Sequence, residues 1–260
     1  MTKESALIAV AGYLLLSIPA LISWKEKMKL EKDIFASGLR ALIQLVILGS
    51  VLLYIFKMPS WIGPIVVSFF IFFGSLIASE RGKKVPLAFP LALMAFTIGY
   101  LPAALVIFGS GVVKSIPNVF IPLSGMMIGN ATKSISLAYD RVHRMIENNQ
   151  EVIEAAFIDG ASYTTAASFF IHDLLRITLL PSIDSMKILG LVHIPGTMSG
   201  LLIAGTPPVK AAAYQAMIAY AIFSVTSLAT MIATYGSFYL VLKSRYEKIT
   251  FGNRFRKSRG

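Results

Sequence analysis

Side chains able to do chemistry are sparse in this sequence and widely separated. It has no cysteine, so neither a disulfide nor a thiolate metal site can form. His143, His172 and His193 show no zinc-type pairing. No H-E-x-x-H or G-x-S-x-G motif is present, and nothing supplies the nucleophile–base or metal-ligand constellation an intramembrane enzyme needs. G-x-x-x-x-G-K-[ST] is also missing, so the chain carries no phosphate loop with which to hydrolyse ATP. What remains is a set of polar groups inside apolar stretches. Met126, Asn130 and Lys133 follow at i, i+4 and i+7 and share a helix face, beside the small-xxx-small pair Gly125 and Gly129. Asp184 and Lys187 stand three apart and can pair as an interfacial ion pair. Pro195-Gly196 interrupts an apolar run, with His193 beside it as a packed residue and Met198 after it. Gln44 lies one turn beyond Arg40. Intramembrane polar groups are costly and face protein or water, which makes Gln44, Met126, Asn130, Lys133, Asp184, Pro195, Gly196 and Met198 candidates for a solute pathway. Asp184 would suit a hard metal ion and the methionines a softer one; whether any of them binds metal stays open.

The elements that must position these groups are membrane helices. The 260 residues are 56% hydrophobic and only 14% charged, with mean hydropathy +0.72. A soluble domain of this length could not hide that much apolar surface. A window of roughly 20 residues per span gives seven segments: 6–23, 36–57, 60–78, 88–109, 119–139, 186–206 and 212–242. The first reads as a retained helix rather than a signal peptide, because its cationic cluster follows it. The net charge of +11 sorts by loop. One set of connections, including the tail 243–260, holds 17 cations, and the other holds four, namely Lys3, Lys57, Lys114 and Lys210. The richer set belongs in the cytoplasm, which puts the N-terminus outside and the C-terminus inside. The charge then needs no nucleic-acid partner, and the tail is a basic cytoplasmic segment near anionic lipid. The chain reads as one polytopic domain over 1–242, a multi-pass protein of the cell membrane.

Residues 140–176 form the longest polar connection, between the fifth and sixth spans. The pattern predicts helices over 140–147, 151–158 and 161–175, with Gly160 as a stop and Ser162 or Thr164 as the next start. Ala166, Phe169, Phe170, Leu174 and Ile177 make the last one amphipathic. A cytoplasmic hairpin with an apolar stripe is suited to docking on a partner.

Glu154-Ala155-Ala156-Phe157-Ile158-Asp159-Gly160 resembles the EAA-three-residues-Gly motif of ABC permeases, whose loop forms the coupling helix seated in the ATP-binding subunit. Leu180-Pro181 resembles the later Leu-Pro pair of that pattern, though at a longer spacing than in typical importers. Ile121-Pro122-Leu123-Ser124-Gly125-Met126-Met127-Ile128-Gly129-Asn130, Leu180-Pro181-Ser182-Ile183-Asp184-Ser185-Met186 and Pro195-Gly196-Thr197-Met198-Ser199-Gly200 resemble the FetB-type permeases over roughly residues 117–240. Asp184 and Thr197 depart from that pattern. The resemblance implies a permease that pairs with a second copy of itself and with a separate ATP-binding cassette subunit, which holds the ATP and magnesium. Glu154, Ala155, Ala156, Asp159 and Gly160 would be its coupling residues. It implies transport of a small solute by alternating access, with metal-ion export as in the iron-linked bacterial relatives, or nucleotide-sugar transport as in the plant ones, for which Lys133, Tyr214 and Tyr220 could supply contacts. A self-sufficient seven-helix carrier or receptor is the rival; it would need no docking hairpin, and the internal repeats usual in carriers are not found.

Overall fold

The computed structural model describes the backbone of residues 3–111 and 116–257, with side chains described except at 3–7, 163, 164, 167, 169 and 247–257. The chain divides into two compact units, Met1–Pro59 and Ser60–Gly260, where the sequence reading has one domain. Lys3, Lys114, Thr164, Phe169 and the tail beyond Tyr246 fall outside the described side chains.

In the first unit α1 (Lys3–Leu14) and α2 (Ser17–Lys25) replace the single helix expected over 6–23, because the chain turns at Leu15-Leu16 and the Ser17 hydroxyl donates back to the Leu14 carbonyl at 2.6 Å. They form an antiparallel pair with α3 (Glu31–Ile55). Tyr13 Oη donates to the Phe35 carbonyl at 3.1 Å, and Ser23 Oγ donates to Glu31 Oε1 at 3.0 Å.

The second unit contains α4 (Ile62–Arg81), α5 (Ala88–Ala104, continued by a π turn over Leu105–Gly109), α6 (Pro117–Asn148), α7 (Gln150–Ile158), α8 (Tyr163–Lys187), α9 (Gly196–Ile203) and α10 (Pro208–Lys257). Apart from one isolated bridge between Leu189 and His193, the described residues are helices and their connections. Among the described residues, five helical segments are long and apolar enough to cross a membrane: Ile8–Lys25, Glu31–Ile55, Ile62–Arg81, Ala88–Gly109 and Pro208–Tyr246. Helices suit that solvent because they satisfy every backbone group internally.

Side-chain contacts fix the helix directions. Gly63 meets Phe120 and Gly82 meets Tyr139, so α4 and α6 run the same way. Gly99 meets Ala229 and Leu91 meets Gly236, so α5 runs against α10. Tyr139 Oη donates to the Ala88 carbonyl at 2.9 Å, and Tyr100 Oη bonds Ser124 Oγ at 2.6 Å, tying α5 to α6 at both ends. Between them lies an apolar core that includes Phe96, Met127, Ile135, Ala229 and Phe238.

The sixth span expected over 186–206 is overturned. α8 begins at Tyr163, runs through the end of the expected hairpin and stops at Lys187, at the start of the expected span. Residues 188–195 are a loop with Gly190 at φ +78°, and α9 has eight residues, about 12 Å, too short to cross. The hydropathy window missed α8 because it is two-faced. Ala166, Ile171, Leu174 and Thr178 are buried, while His172, Asp173 and Arg176 are exposed. Arg176 therefore belongs to α8 and not to a loop.

Helix approach at α5–α10 tolerates no side chain. A Cβ on Gly99 would lie 2.9 Å from both the backbone nitrogen and the Cβ of Ala229, whereas one on Gly129 meets nothing within 4 Å. Gly99→Ala is expected to destabilise the detergent-solubilised protein by about 1–3 kcal/mol. Gly129→Ala is expected to leave it unchanged or stabilise it by up to about 1 kcal/mol. Paired thermal unfolding curves check both.

Candidate functional site

Two candidate regions lie at opposite ends of the second unit. The first is α7. Its inner face seals to the bundle: Ile153 and Phe157 are buried, and the Phe157 ring sits 5.1 Å from that of Tyr246 on α10. Polar contacts pin the same helix. Gln150 Nε2 donates to Glu154 Oε1 at 2.8 Å, and Arg245 donates to Gln150 Oε1 at 3.0 Å. The Tyr246 hydroxyl faces the Glu154 carboxylate. Glu154 thus looks into the bundle, while Val152, Ala155, Ile158 and Asp159 are exposed on the outer side and Ala156 is half-buried.

Gly160 ends α7 as the sequence reading expects. Its φ is +89°, its amide donates to the Phe157 carbonyl at 3.1 Å, and the Ala161 amide donates to the Ala156 carbonyl at 2.9 Å. This pair of bonds is a Schellman motif, which calls for a left-handed residue at that position. Ser162 starts α8, its hydroxyl accepting from the Thr165 amide at 3.1 Å. Beside α7, Glu147 on α6 gathers His143 at 2.9 Å and Lys84 from the α4–α5 connection at 3.6 Å.

The second region is a cavity of about 990 Å³ at the far end. α6 contributes Met126 and Asn130; α8 contributes Ser182, Ser185 and Met186. The following loop and α9 add His193, Pro195, Gly196 and Thr197. α10 closes it with Gln215, Ile218 and Ile222, and Thr197 Oγ1 donates to Gln215 Oε1. The lining is mostly apolar with a few uncharged polar groups, the usual make-up of a small-molecule site. The described residues contain no group of three His, Asp or Glu able to hold a metal ion.

Of the eight expected pathway residues, the structure brings together Met126, Asn130, Pro195 and Gly196. Asn130 also donates to the Met126 carbonyl at 2.8 Å, which ties its amide to its own helix. Lys133 is exposed one turn along α6, and Met198 is half-buried outside the lining. Gln44 is exposed on α3 in the other unit.

The expected pair of Asp184 and Lys187 forms, at 3.0 Å, at the end of α8 away from α7. Two expectations need correcting. Pro195-Gly196 does not interrupt a span: Pro195 caps α9, because its fixed φ suits a helix start and it cannot continue α8 across a loop. His193 is exposed and lines the cavity, where a packed residue was expected.

Ser182, Ser185, Met186 and Thr197 were read only within the family resemblance and not as lining residues, and Gln215 was not singled out. Gln215 alone had a visible signal, an amide in an apolar stretch.

The apolar spans and inward-turned polar groups define a polytopic α-helical membrane protein. The chain belongs to the UPF0014 family: the family model described as "Uncharacterised protein family (UPF0014)" matches residues 7–241. It is 38% identical over 250 residues to "Probable iron export permease protein FetB" of Escherichia coli (strain K12), covering 96% of this chain and 95% of that one. It is 26% identical to "UPF0014 membrane protein STAR2" of Oryza sativa subsp. japonica, with 87% and 80% covered. Identity to "Protein ALUMINUM SENSITIVE 3" of Arabidopsis thaliana is also 26%, with 90% and 85% covered. No solved structure matches.

The Gln150 bridge makes a prediction. Gln150→Ala removes the link from Arg245 to Glu154, and the amides of α7 are expected to exchange with solvent about tenfold faster, as the loss of one net hydrogen bond of about 1.4 kcal/mol implies. Hydrogen exchange resolved by mass spectrometry, with α10 as internal reference, checks it.

Proposed function

We propose that this chain is the membrane-spanning permease subunit of an ATP-driven transporter that exports a small solute, with a metal ion of the iron type as the leading candidate. The observation that carries the reading is α7. It hangs across one end of the helix unit, sealed inward by Ile153 and Phe157, with Val152, Ala155, Ile158 and Asp159 turned outward for a partner. It contains the Glu154-Ala155-Ala156 segment and the Gly160 stop. An ATP-binding subunit seated there would drive alternating access by pulling on α6 and α8, which flank α7 in the chain.

Charge placement supports the orientation this needs. Arg81, Lys83, Lys84, Arg141, Arg144, Lys243 and Arg245 belong to the α7 end of their helices, against Lys187 and Lys210 at the far end. By the positive-inside rule the α7 end is cytoplasmic and the cavity opens toward the outer side. With α6 and α8 crossing beside the five apolar segments, the chain has seven spans, its N-terminus outside and its C-terminus inside. The exposed His172, Asp173 and Arg176 on α8 support a second copy in the assembly, because a charge facing lipid at mid-depth costs roughly 2.5–3.5 kcal/mol. The metal-ion candidate leans on the name of the FetB relative. A second reading, an organic solute, is favoured by the size and uncharged lining of the cavity.

The test is reconstitution of the chain with its cognate ATP-binding subunit in vesicles, with ferrous iron and a nucleotide-sugar offered in separate arms. The permease copurifies with the ATPase, and one solute stimulates hydrolysis and crosses the membrane. Gly160→Arg places a side chain in open space, so the fold survives, at a backbone cost of about 1–2 kcal/mol. Assembly or coupled transport is expected to be lost in this variant. Asn130→Ala is expected to weaken solute stimulation about tenfold while assembly persists. Transport by the chain alone, or full coupling in Gly160→Arg, would overturn the reading.

A further inference from the structure

The cavity floor is a step in a longer polar stripe. α10 lines the cavity with Gln215, Ala219 and Ile222. Continuing down the same face at helical spacing come Thr226, Thr230, Thr234 and Ser237, all with no solvent exposure. The other two walls do the same. Thr178 lies one turn along α8 from Ser182 and is 1% exposed; Ser134 lies one turn along α6 from Asn130 and is 9% exposed. α6 and α8 therefore each bury a hydroxyl one turn deeper than their last polar lining residue, and α10 buries its first, Thr226, one turn beyond the lining residue Ile222.

The bonding along this stripe is uneven. A threonine inside a helix ordinarily returns its hydroxyl to the carbonyl one turn back. Thr234 does so, to Thr230, at 2.7 Å, and Thr178 does so, to Leu174, at 2.9 Å. The Thr226 and Thr230 hydroxyls are buried and make no hydrogen bond. Valine has the same shape and branching, and would fill the space without an unsatisfied oxygen. Packing alone gives no reason for hydroxyls there.

We infer that Thr226 and Thr230, with Thr178 and Ser134, form a relay site that continues the cavity toward α7, closed in this conformation, where the transported cation is held with part of its water by neutral oxygens. The inference rests on the transporter reading above. Its chemistry follows from what the site lacks and what it offers. The described residues gather no cluster of three carboxylates or histidines, so a bare divalent ion finds no tight cage. Uncharged hydroxyls replace hydration water one oxygen at a time. Conduction needs such sites, which hold an ion well enough for entry and weakly enough for exit.

The absence of native cysteine makes the test clean. In the permease–ATPase complex in vesicles, the Thr226→Val/Thr230→Val double variant keeps assembly and unfolds at the same or a higher temperature than the parent. Its ATP-driven ferrous-iron transport falls about tenfold, roughly the worth of one buried hydrogen bond. Separately, Thr230→Cys reacts with a charged methanethiosulfonate during ATP turnover and is protected without nucleotide. Val225→Cys, one turn before the Ala229 that packs on Gly99, stays unreactive in both conditions. Parental transport rates in the double variant, or Thr230→Cys as inert as Val225→Cys in a complex that transports iron, would overturn the relay site and leave the transporter reading intact. A parent complex that moves no ferrous iron under any nucleotide condition sinks the cation reading, and this inference with it.

Discussion

Ala229 lies so close to Gly99 that a single methyl group on the glycine would overlap its backbone. With Gly236 against Leu91 seven residues further on, this contact fixes the register of α10 on α5. Much depends on that register. α10 reaches from Gln215 in the cavity to Arg245 and Tyr246 beside α7, a separation of about 45 Å at 1.5 Å per residue. Sliding α10 by one turn would carry Gln215 from Thr197 and, at the other end, Arg245 from Gln150. One tight crossing in the middle of a long helix therefore sets the geometry of both candidate regions.

The α7 end is built differently. Its steering contacts are polar: Arg245 to Gln150, Gln150 to Glu154, Glu147 to His143 and Lys84. A surface pair such as Lys84 with Glu147 is worth about 0–1 kcal/mol. The apolar anchors Ile153 and Phe157 hold the helix on, and the polar groups set its angle. A helix attached by two apolar side chains and steered by exchangeable bonds can tilt without unfolding the bundle, which is what a coupling element requires on the transporter reading.

What was legible in the sequence follows what hydropathy and turn chemistry can encode. Gly160 and Ser162 announced a stop and a start, and the structure gives Gly160 a positive φ and Ser162 a cap bond. Asn130 and Met126 stood out as a helix face and both line the cavity. The extent of α8 was not legible, because it spreads its apolar residues over one face and carries His172, Asp173 and Arg176 on the other, so its average hydropathy resembles that of a polar surface helix. That misplacement carried another with it: Pro195-Gly196 was taken to break a helix that had ended at Lys187. The buried threonines of α10 gave no signal, because serine and threonine are ordinary residues in membrane helices, and only the bonding pattern separates Thr226 and Thr230 from Thr234.

On the transporter reading, the placement of polarity along α10 supports a conformational cycle more than any single residue does. From the cavity to Ser237 its inward face carries an amide and four hydroxyls, while the face packed on α5 carries Ala229 and Gly236. The α5 contact is dense and has nothing to gain from opening. The Thr226 and Thr230 hydroxyls, buried without a hydrogen bond, would gain partners from water if their side of α10 opened. α6 and α8 are also the helices that α7 joins in sequence. A motion that keeps α5 and α10 together and swings α6 and α8 away would break apolar contacts but hydrate Thr226 and Thr230, which lowers its cost. On the transporter reading, the fold thus has one seam that resists opening and one that is chemically prepared for it, and the prepared seam ends at the helix that faces the proposed engine.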